Sequence, residues 1–469
     1  MDPTPLSQIA AWSCAKLLSG PPQTLISGFS QDTRTLQPGE LYIALRGEHF
    51  DGNEFIEEAL AQGASGVLCD GKIPPHLPAH FGVLHVEDSF SGLRSLAAAW
   101  RQQLSLRAVA ITGSNGKTST KDFTHTLLKN FFNVTSTQGN FNNHLGLPLS
   151  ILRASRSDEI AVWEIGMNHR GEIAPLVALA QPYIGIITNI GVAHIGFLGS
   201  REAIAQEKGD LVAALPQSGI AILPAADQFY AQLASRTKAR IFSVGLQAGD
   251  LQAVELTPSA EGISFQVHYQ GTSRSAFLPV PSLPMVSNAL MALAVLLECG
   301  VPFEEAILSF SQLKTPDHRL KLYECSEVKI LDDTYNANPD SMEAALSSIL
   351  FLQAKRRLAV LGMMGELGAY EAQGYERVAR KAAASLDVLV VVSQRALPLA
   401  RSAREAGMKE VYHVLSNEEA SALLLSLLAP GDLILAKGSR SARLNEVVDT
   451  LERALSTENF INKFASSAP

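Results

Sequence analysis

Lys117, Thr118, Glu164, His194 and Lys208 are the residues of this chain whose types and surroundings could do chemistry together. The first two close the stretch "AVAITGSNGKTSTKDF", residues 108–123. A phosphate loop needs glycines that let several backbone N–H groups converge on an anion. It needs a helix starting at that point, so that its positive end faces the charge. It also needs a lysine for phosphate and a hydroxyl for Mg²⁺. Here an apolar strand ends at Thr112, Gly113 to Gly116 make the turn, and Lys117-Thr118 open a helix. The spacing differs from the common phosphate-loop pattern, which has four residues between its glycines. Gly113 and Gly116 have two, and Ile111 stands where the usual first glycine would be.

Glu164 follows at the end of another apolar stretch, in "VWEIGMNHRGEI". A carboxylate there can hold Mg²⁺ beside a phosphate. His194 lies just past a further strand, in "TNIGVAHIGFLGS", and Lys208 sits among apolar neighbours in "SREAIAQEKGDLVAAL", where Ser200 can cap a helix. Taken singly, each has a plain structural reading: a strand-end acid, a structural histidine, a solvated lysine.

The elements that must position these groups fall into three parts. At roughly 100–200 residues per domain, 469 residues make two to four domains. Residues 1–105 mix strands such as "ELYIAL" and "SGVLCD" with the helix "NEFIEEALAQGA". Residues 106–314 alternate strand, loop and helix. "LRAVAIT", "IAVWEIG" and "YIGIITNIG" are apolar throughout, which predicts a parallel sheet covered on both faces. Phe123, Leu127 and Leu128 form one face of the helix after the loop. Antiparallel strands are expected in 250–280, then a helix at "VSNALMALAVLLEC". Residues 315–469 again alternate, with strands "VKILDDTY", "RRLAVLG", "DVLVVVS", "EVYHVLS" and "DLILAKG", which predicts a second doubly wound sheet. The expected class is α/β in three domains: a small α/β N-terminal domain, a central phosphate-loop domain with a mainly parallel sheet, and a C-terminal Rossmann-like domain. The tail "INKFASSAP" is expected to be loose.

Composition narrows the partners. With 46% apolar and 18% charged residues and a net charge of -8, a broad basic surface for nucleic acid is not expected. Cys14, Cys69, Cys299 and Cys325 are scattered without metal spacing, which suits a reducing cytoplasm. "MDPTPLSQIAAW" has no basic start and no long apolar core, so no signal peptide is expected. No apolar run approaches the roughly 20 residues of a membrane span.

Together, "TGSNGKTST", "EIGMNHRGEI", "NIGVAHIGFLGS" and "EKGDL" resemble, in this order, the Mur ligases, which build the peptide of bacterial peptidoglycan. The short glycine spacing is similar to that family's own loop. The resemblance spans nearly the whole chain. "DTRTLQPGELYIALRGEHFDGNEFIEEALAQGA" resembles the domain that holds the UDP part of the substrate, and "STQGNFNNHLGLPLSIL" the segment facing the muramoyl peptide. "ILDDTYNANPDSMEAAL" and "VLGMMGELG" are similar to the branch that joins D-Ala-D-Ala to a UDP-muramoyl-tripeptide.

The resemblance implies roles by position. Gly113, Ser114, Asn115, Gly116, Lys117, Thr118 and Ser119 would wrap the ATP phosphates, with Lys117 near the β/γ oxygens. Thr118 and Glu164 would bind one Mg²⁺. His194 and Lys208 would serve a second, with Lys208 carbamylated, because a carbamate donates oxygen to Mg²⁺ and an ammonium cannot. Lys117, Lys208, His194 and Glu164 form the implied catalytic set. Asn288 would face the adenine. Arg319 and Asp333 would close over ATP, and Tyr335, Asn336 and Asn338 over ATP and the incoming amine. Thr33, Arg34, Asn140, Asn142 and Asn143 would meet the UDP-muramoyl substrate. A cytoplasmic monomer is expected.

Departures from the family pattern are local. "SLPMVSN" puts Pro284 and Met285 where a His-Asn pair commonly stands before the adenine-facing Asn. Met363 replaces a common Asp, Asn53 a common His, and Thr33 a common Ser. Two rival readings remain at this stage: another amide ligase of the same superfamily, and a non-catalytic nucleotide switch. The switch would need the phosphate loop but not Glu164, His194, Lys208 and the asparagines of "NFNN".

Overall fold

The computed structural model describes residues 1–47 and 50–456; the tail 461–469 lies outside the described residues. The chain builds three main sheets, each from one continuous stretch.

The first has five strands in the order Lys16–Ser19, Gly82–His85, Gly66–Cys69, Leu41–Ile43 and Phe29–Ser30. The last four run parallel, and Lys16–Ser19 is the antiparallel edge. The helix Ser89–Gln102 follows, capped by the Asp88 carboxylate on the Ser91 N–H. It ties this region to the next. Trp100 is fully buried and donates its indole N–H to the Ala154 carbonyl. Arg101, 7% exposed, donates to the carbonyls of Ala180, Leu104 and Gln181. A buried guanidinium is tolerated because its donors are satisfied in this way.

The central sheet has nine strands. Its order is Val134–Ser136, Ile160–Glu164, Arg107–Thr112, Ile184–Ile187, Ile220–Pro224, Arg240–Leu246, Leu251–Pro258, Ile263–Tyr269 and Thr272–Leu278. The first seven are parallel and the last two antiparallel. Strands Ile160–Glu164 and Ile184–Ile187 are buried at every residue, as continuous apolar runs covered on both faces should be. The chain leaves Arg107–Thr112 toward one side and returns to flank it on the other. Ligands in open α/β sheets bind at the carboxyl ends of strands at such a reversal. Thr112, Glu164 and the loop after Ile187 all lie there.

The C-terminal sheet has the order Lys321–Cys325, Val328–Asp332, Asp432–Lys437, Arg356–Leu361, Val388–Val392 and Glu410–Val414. All are parallel except the first, an edge strand that sequence patterning had not marked. Alternate residues feed opposite faces. Leu331, Ala359, Leu361 and Leu389 join the large core shared with the central region, while Ile330, Leu358, Val360 and Val390 join a separate outer core.

Candidate active site

The loop's shape follows from what surrounds it. Gly113 and Gly116 have φ of 150° and 83°, values L side chains rarely adopt. Space forbids a side chain as well. A Cβ on Gly113 would stand 1.8 Å from Thr188 Oγ1, and one on Gly116 2.5 Å from Asn288 Oδ1. The neighbouring segment Thr188–Gly191 braces the turn. The Thr188 hydroxyl and the Asn189 amide both donate to the Asn115 carbonyl, Asn189 Oδ1 accepts from the Asn115 N–H, and the Gly191 N–H reaches Ser114 Oγ. The helix Lys117–Leu128 then begins at Gly116. Its first N–H groups have no intrahelical acceptor and face a large cavity of about 1620 Å³. Phe123, Leu127 and Leu128 are buried, as their spacing predicted.

Lys117 Nζ donates to the Gly113 carbonyl at 2.8 Å, folding the side chain back over the turn. Burial pulls its pKa below the usual lysine value, while the nearby Glu164 carboxylate works in the opposite direction. Glu164 is 2% exposed. Asn142 Nδ2 donates to Oε1 at 2.7 Å, and Oε2 is buried without a partner. The Glu164 backbone N–H is held by the Thr137 hydroxyl. Asn142, which the family resemblance assigned to the substrate, thus also orients this carboxylate.

Lys208 is on the helix Arg201–Ala213, which Ser200 caps through the Ala203 N–H, as expected. Lys208 is fully buried, its Nζ has no partner, and it does not line the cavity. Desolvation, with Lys117 adding repulsion, drops its pKa well below the usual lysine value. A neutral, unpartnered amine is the form that reacts with CO₂, and burial favours it. His194, in left-handed backbone at φ 63°, lines the cavity, with burial lowering its pKa.

The unpartnered oxygen of Glu164 and the unpartnered amine of Lys208 fit the Mg²⁺ sites that the resemblance implies. Among the described residues no group of three or more His, Cys, Asp or Glu side chains is placed to hold a metal. Phosphate and carbamate oxygens would have to complete the donor set.

The C-terminal region supplies the far wall. Arg319 Nη2 donates to Thr118 Oγ1 at 2.9 Å, with its guanidinium carbon 4.1 Å from the Tyr335 ring centre. Asn338 Nδ2 donates to Asn115 Oδ1 at 2.7 Å, and Asp340 accepts the Val192 N–H. Asp333 pairs with Lys437 at 2.6 Å; burial raises its pKa and the lysine opposes that. Lys437 also donates to the Asn336 carbonyl. Asn140, Asn142, Asn143 and Asn288 line the same cavity. Asn288 is bonded to Met285 Sδ, which shows one use of the departure at that position.

Thr33 and Arg34 are not brought to this cavity. Thr33 donates to Glu58, and Arg34 is exposed and paired with Asp32. Sequence reasoning did not single out Lys437, Asp340 or Glu366 for the site. A lysine ending the apolar strand "DLILAK" was the signal available for the first; the other two stand inside "ILDDTYNANPDSMEAAL" and "VLGMMGELG", which carry the family resemblance without marking these two positions.

Known proteins resemble this chain over most of its length. Residues 25–100 match the Mur ligase family catalytic domain, 111–296 the Mur ligase middle domain, and 318–440 the Mur ligase glutamate ligase domain. The chain is 36% identical over 439 residues to UDP-N-acetylmuramoyl-tripeptide–D-alanyl-D-alanine ligase of Bacillus subtilis (strain 168), covering 92% of this chain and 95% of that one. It superimposes on a crystal structure of MurF from Acinetobacter baumannii with a TM-score of 0.87 at 31% identity, covering 97% and 99% of the two chains. MurF ligase from Thermotoga maritima in complex with ADP gives 0.80 at 28% identity, covering 91% and 97%.

Proposed function

This chain belongs to the Mur ligase family, and from that premise we infer that it joins D-Ala-D-Ala to a UDP-N-acetylmuramoyl tripeptide, driven by ATP. The observation that carries the reading is the single cavity in which the phosphate loop and Glu164 of the central region meet Arg319, Asp333, Tyr335 and Asn338 of the C-terminal region. A nucleotide switch would need the loop alone; the second wall gives an amine somewhere to stand.

The tripeptide's terminal carboxylate attacks the γ-phosphorus of ATP, giving an acyl phosphate and ADP. Lys117 and the N–H groups at the start of its helix spread the charge on the transferred phosphoryl group. Arg319 lies against Thr118, where it adds positive charge to the same region. The amine of D-Ala-D-Ala then attacks the acyl carbon, and the tetrahedral intermediate expels phosphate to leave an amide. Water would destroy the acyl phosphate, so the C-terminal wall serves to exclude it. Mg²⁺, held by Thr118 and Glu164 and in a second position by His194 and a carbamylated Lys208, would supply charge neutralisation at the phosphates.

We assign residues 1–105 to the UDP-muramoyl end, 106–314 to ATP, and 315–469 to ATP and the incoming amine. The contact of Thr33 and Arg34 with the UDP end rests on family resemblance. A monomer remains our expectation. A cytoplasmic location fits a reaction that uses ATP and a nucleotide-linked acid. Among the described residues no helix is long and apolar enough to cross a membrane.

The test is phosphate release from ATP with UDP-muramoyl-tripeptide, with and without D-Ala-D-Ala, and mass analysis of the product. Release that needs both, with a pentapeptide product, supports the ligase. Release that ignores both would leave an ATP site and point to another acid and amine of the superfamily or to a switch.

A further inference from the structure

Two residues in left-handed backbone meet where the central and C-terminal regions touch. His194 has φ 63° and Glu366 φ 62°, a region few residues other than glycine occupy. His194 Nδ1 lies 2.6 Å from Glu366 Oε2, an ion-pair distance at which the two are not aligned as a hydrogen bond, and Nδ1 is otherwise buried without a hydrogen-bond partner. The backbones are locked beside them: the Gly196 N–H donates to the Glu366 carbonyl at 2.9 Å. A Cβ on Gly196 would stand 2.7 Å from that carbonyl oxygen and from the Gly368 nitrogen. This close approach of two backbones sets where the Glu366 carboxylate points.

A neutral imidazole carries one proton. With a carboxylate oxygen at 2.6 Å, a lone pair on Nδ1 would face another lone pair, so the proton belongs on Nδ1 and the free pair on Nε2. Carboxylates that fix a histidine's tautomer in this way also fix its ring and raise its basicity as a metal ligand. We propose that Glu366 is a positioning residue which, from the C-terminal region, holds His194 as the Nδ1–H tautomer and presents Nε2 to the divalent cation. Docking of the C-terminal region and assembly of the cation site are then one event, because the carboxylate reaches His194 through the Gly196–Glu366 joint. This rests on the reading of His194 as a cation ligand.

The test uses the full chain. Long-range proton–nitrogen NMR on metal-free, ¹⁵N-labelled protein at alkaline pH reads the His194 tautomer, with His194→Gln identifying its signals. Mn²⁺ binding with ADP present is read by electron paramagnetic resonance. Wild type is expected to show the Nδ1–H form. Glu366→Leu and Gly196→Ala should both lose that preference and weaken Mn²⁺ about 10–100-fold. Gly196→Ala keeps both side chains and guards against a folding artefact of the first variant. Glu366→Gln, still an acceptor, should fall between. If His194→Gln weakens Mn²⁺ while Glu366→Leu and Gly196→Ala do not, the positioning role is overturned. If His194→Gln leaves Mn²⁺ unaffected, the cation reading of His194 fails, and this inference with it. A wild-type Nε2–H tautomer overturns the proposal whatever the metal does.

Discussion

Asn142 donates its side-chain N–H to one oxygen of Glu164 at 2.7 Å, and the other oxygen of that buried carboxylate is left without a partner. One oxygen is fixed so that the other can be offered to something the cavity admits. Asn142→Ala would leave a second lone-pair set unsatisfied, a loss of about 1–3 kcal/mol. Part of that would appear as weaker Mg²⁺ use, with half-saturation rising roughly 5–100-fold. A Mg²⁺ titration of phosphate release checks this. An unchanged titration with a raised KM for the UDP-linked acid would confine Asn142 to the substrate.

Lys117→Ala removes the side-chain cation from the phosphate loop. Turnover should fall about 10²–10³-fold, the usual loss when one group stabilising transition-state charge is deleted. Near-normal turnover would sink the assignment. Melting should shift little, since the helix and its buried face are untouched; a large drop would mean that the bond from Nζ to the Gly113 carbonyl shapes the loop in the free protein.

Arg319 acts through a planar fork, bonded to Thr118 while lying over the Tyr335 ring. Arg319→Ala should raise the KM for ATP roughly 10–100-fold, as a charged hydrogen bond and a cation–π contact are both lost. Arg319→Lys should recover only part, because an ammonium cannot stack and bond at once. Full recovery with lysine would reduce its role to bare charge.

These three residues differ in how legible they were. The glycines, Lys117 and Thr118 are local: a strand, a turn and a helix start within one short stretch. Asn142 carries no such mark, and its bond to Glu164 depends on the segment after strand Val134–Ser136 lying beside the end of Ile160–Glu164. The strands of both large sheets were legible because parallel strands buried on two faces are apolar without interruption. Lys321–Cys325 was not, because "KLYEC" is an edge strand with only Cys325 buried. Thr33 and Arg34 are placed by their motif at the UDP end of the substrate, and they stand outside the cavity that holds the phosphate loop. The contacts of Glu366 and Asp340 could not be read from neighbouring residues, because His194 and Val192 lie more than a hundred residues away and Arg377, another partner of Asp340, lies on the helix Glu371–Ser385.

Lys208 gives the prediction with a sign that can be worked out. Its amine is buried and unpartnered, and burial holds its pKa well below the ordinary 10.5. The unfolded chain therefore binds this proton more tightly than the folded one. Stability must rise with pH between the folded value and 10.5. The penalty is complete below the folded value and gone above 10.5. Lys208→Met removes the penalty while filling similar space. In CO₂-free buffer the variant should melt above the wild type at neutral pH, by about 1 °C for each kcal/mol at roughly 2.1 cal/mol/K of unfolding entropy per residue. The gap should narrow steadily as pH climbs toward 10. Bicarbonate should raise the melting point of the wild type alone, since only it can form a carbamate. The same variant should lose turnover, and Lys208→Ala should regain part of its activity with short carboxylic acids that fill the carbamate position. A gap that stays constant with pH would mean that Lys208 is charged and paired in solution, and full activity without rescue would remove the carbamate from the site.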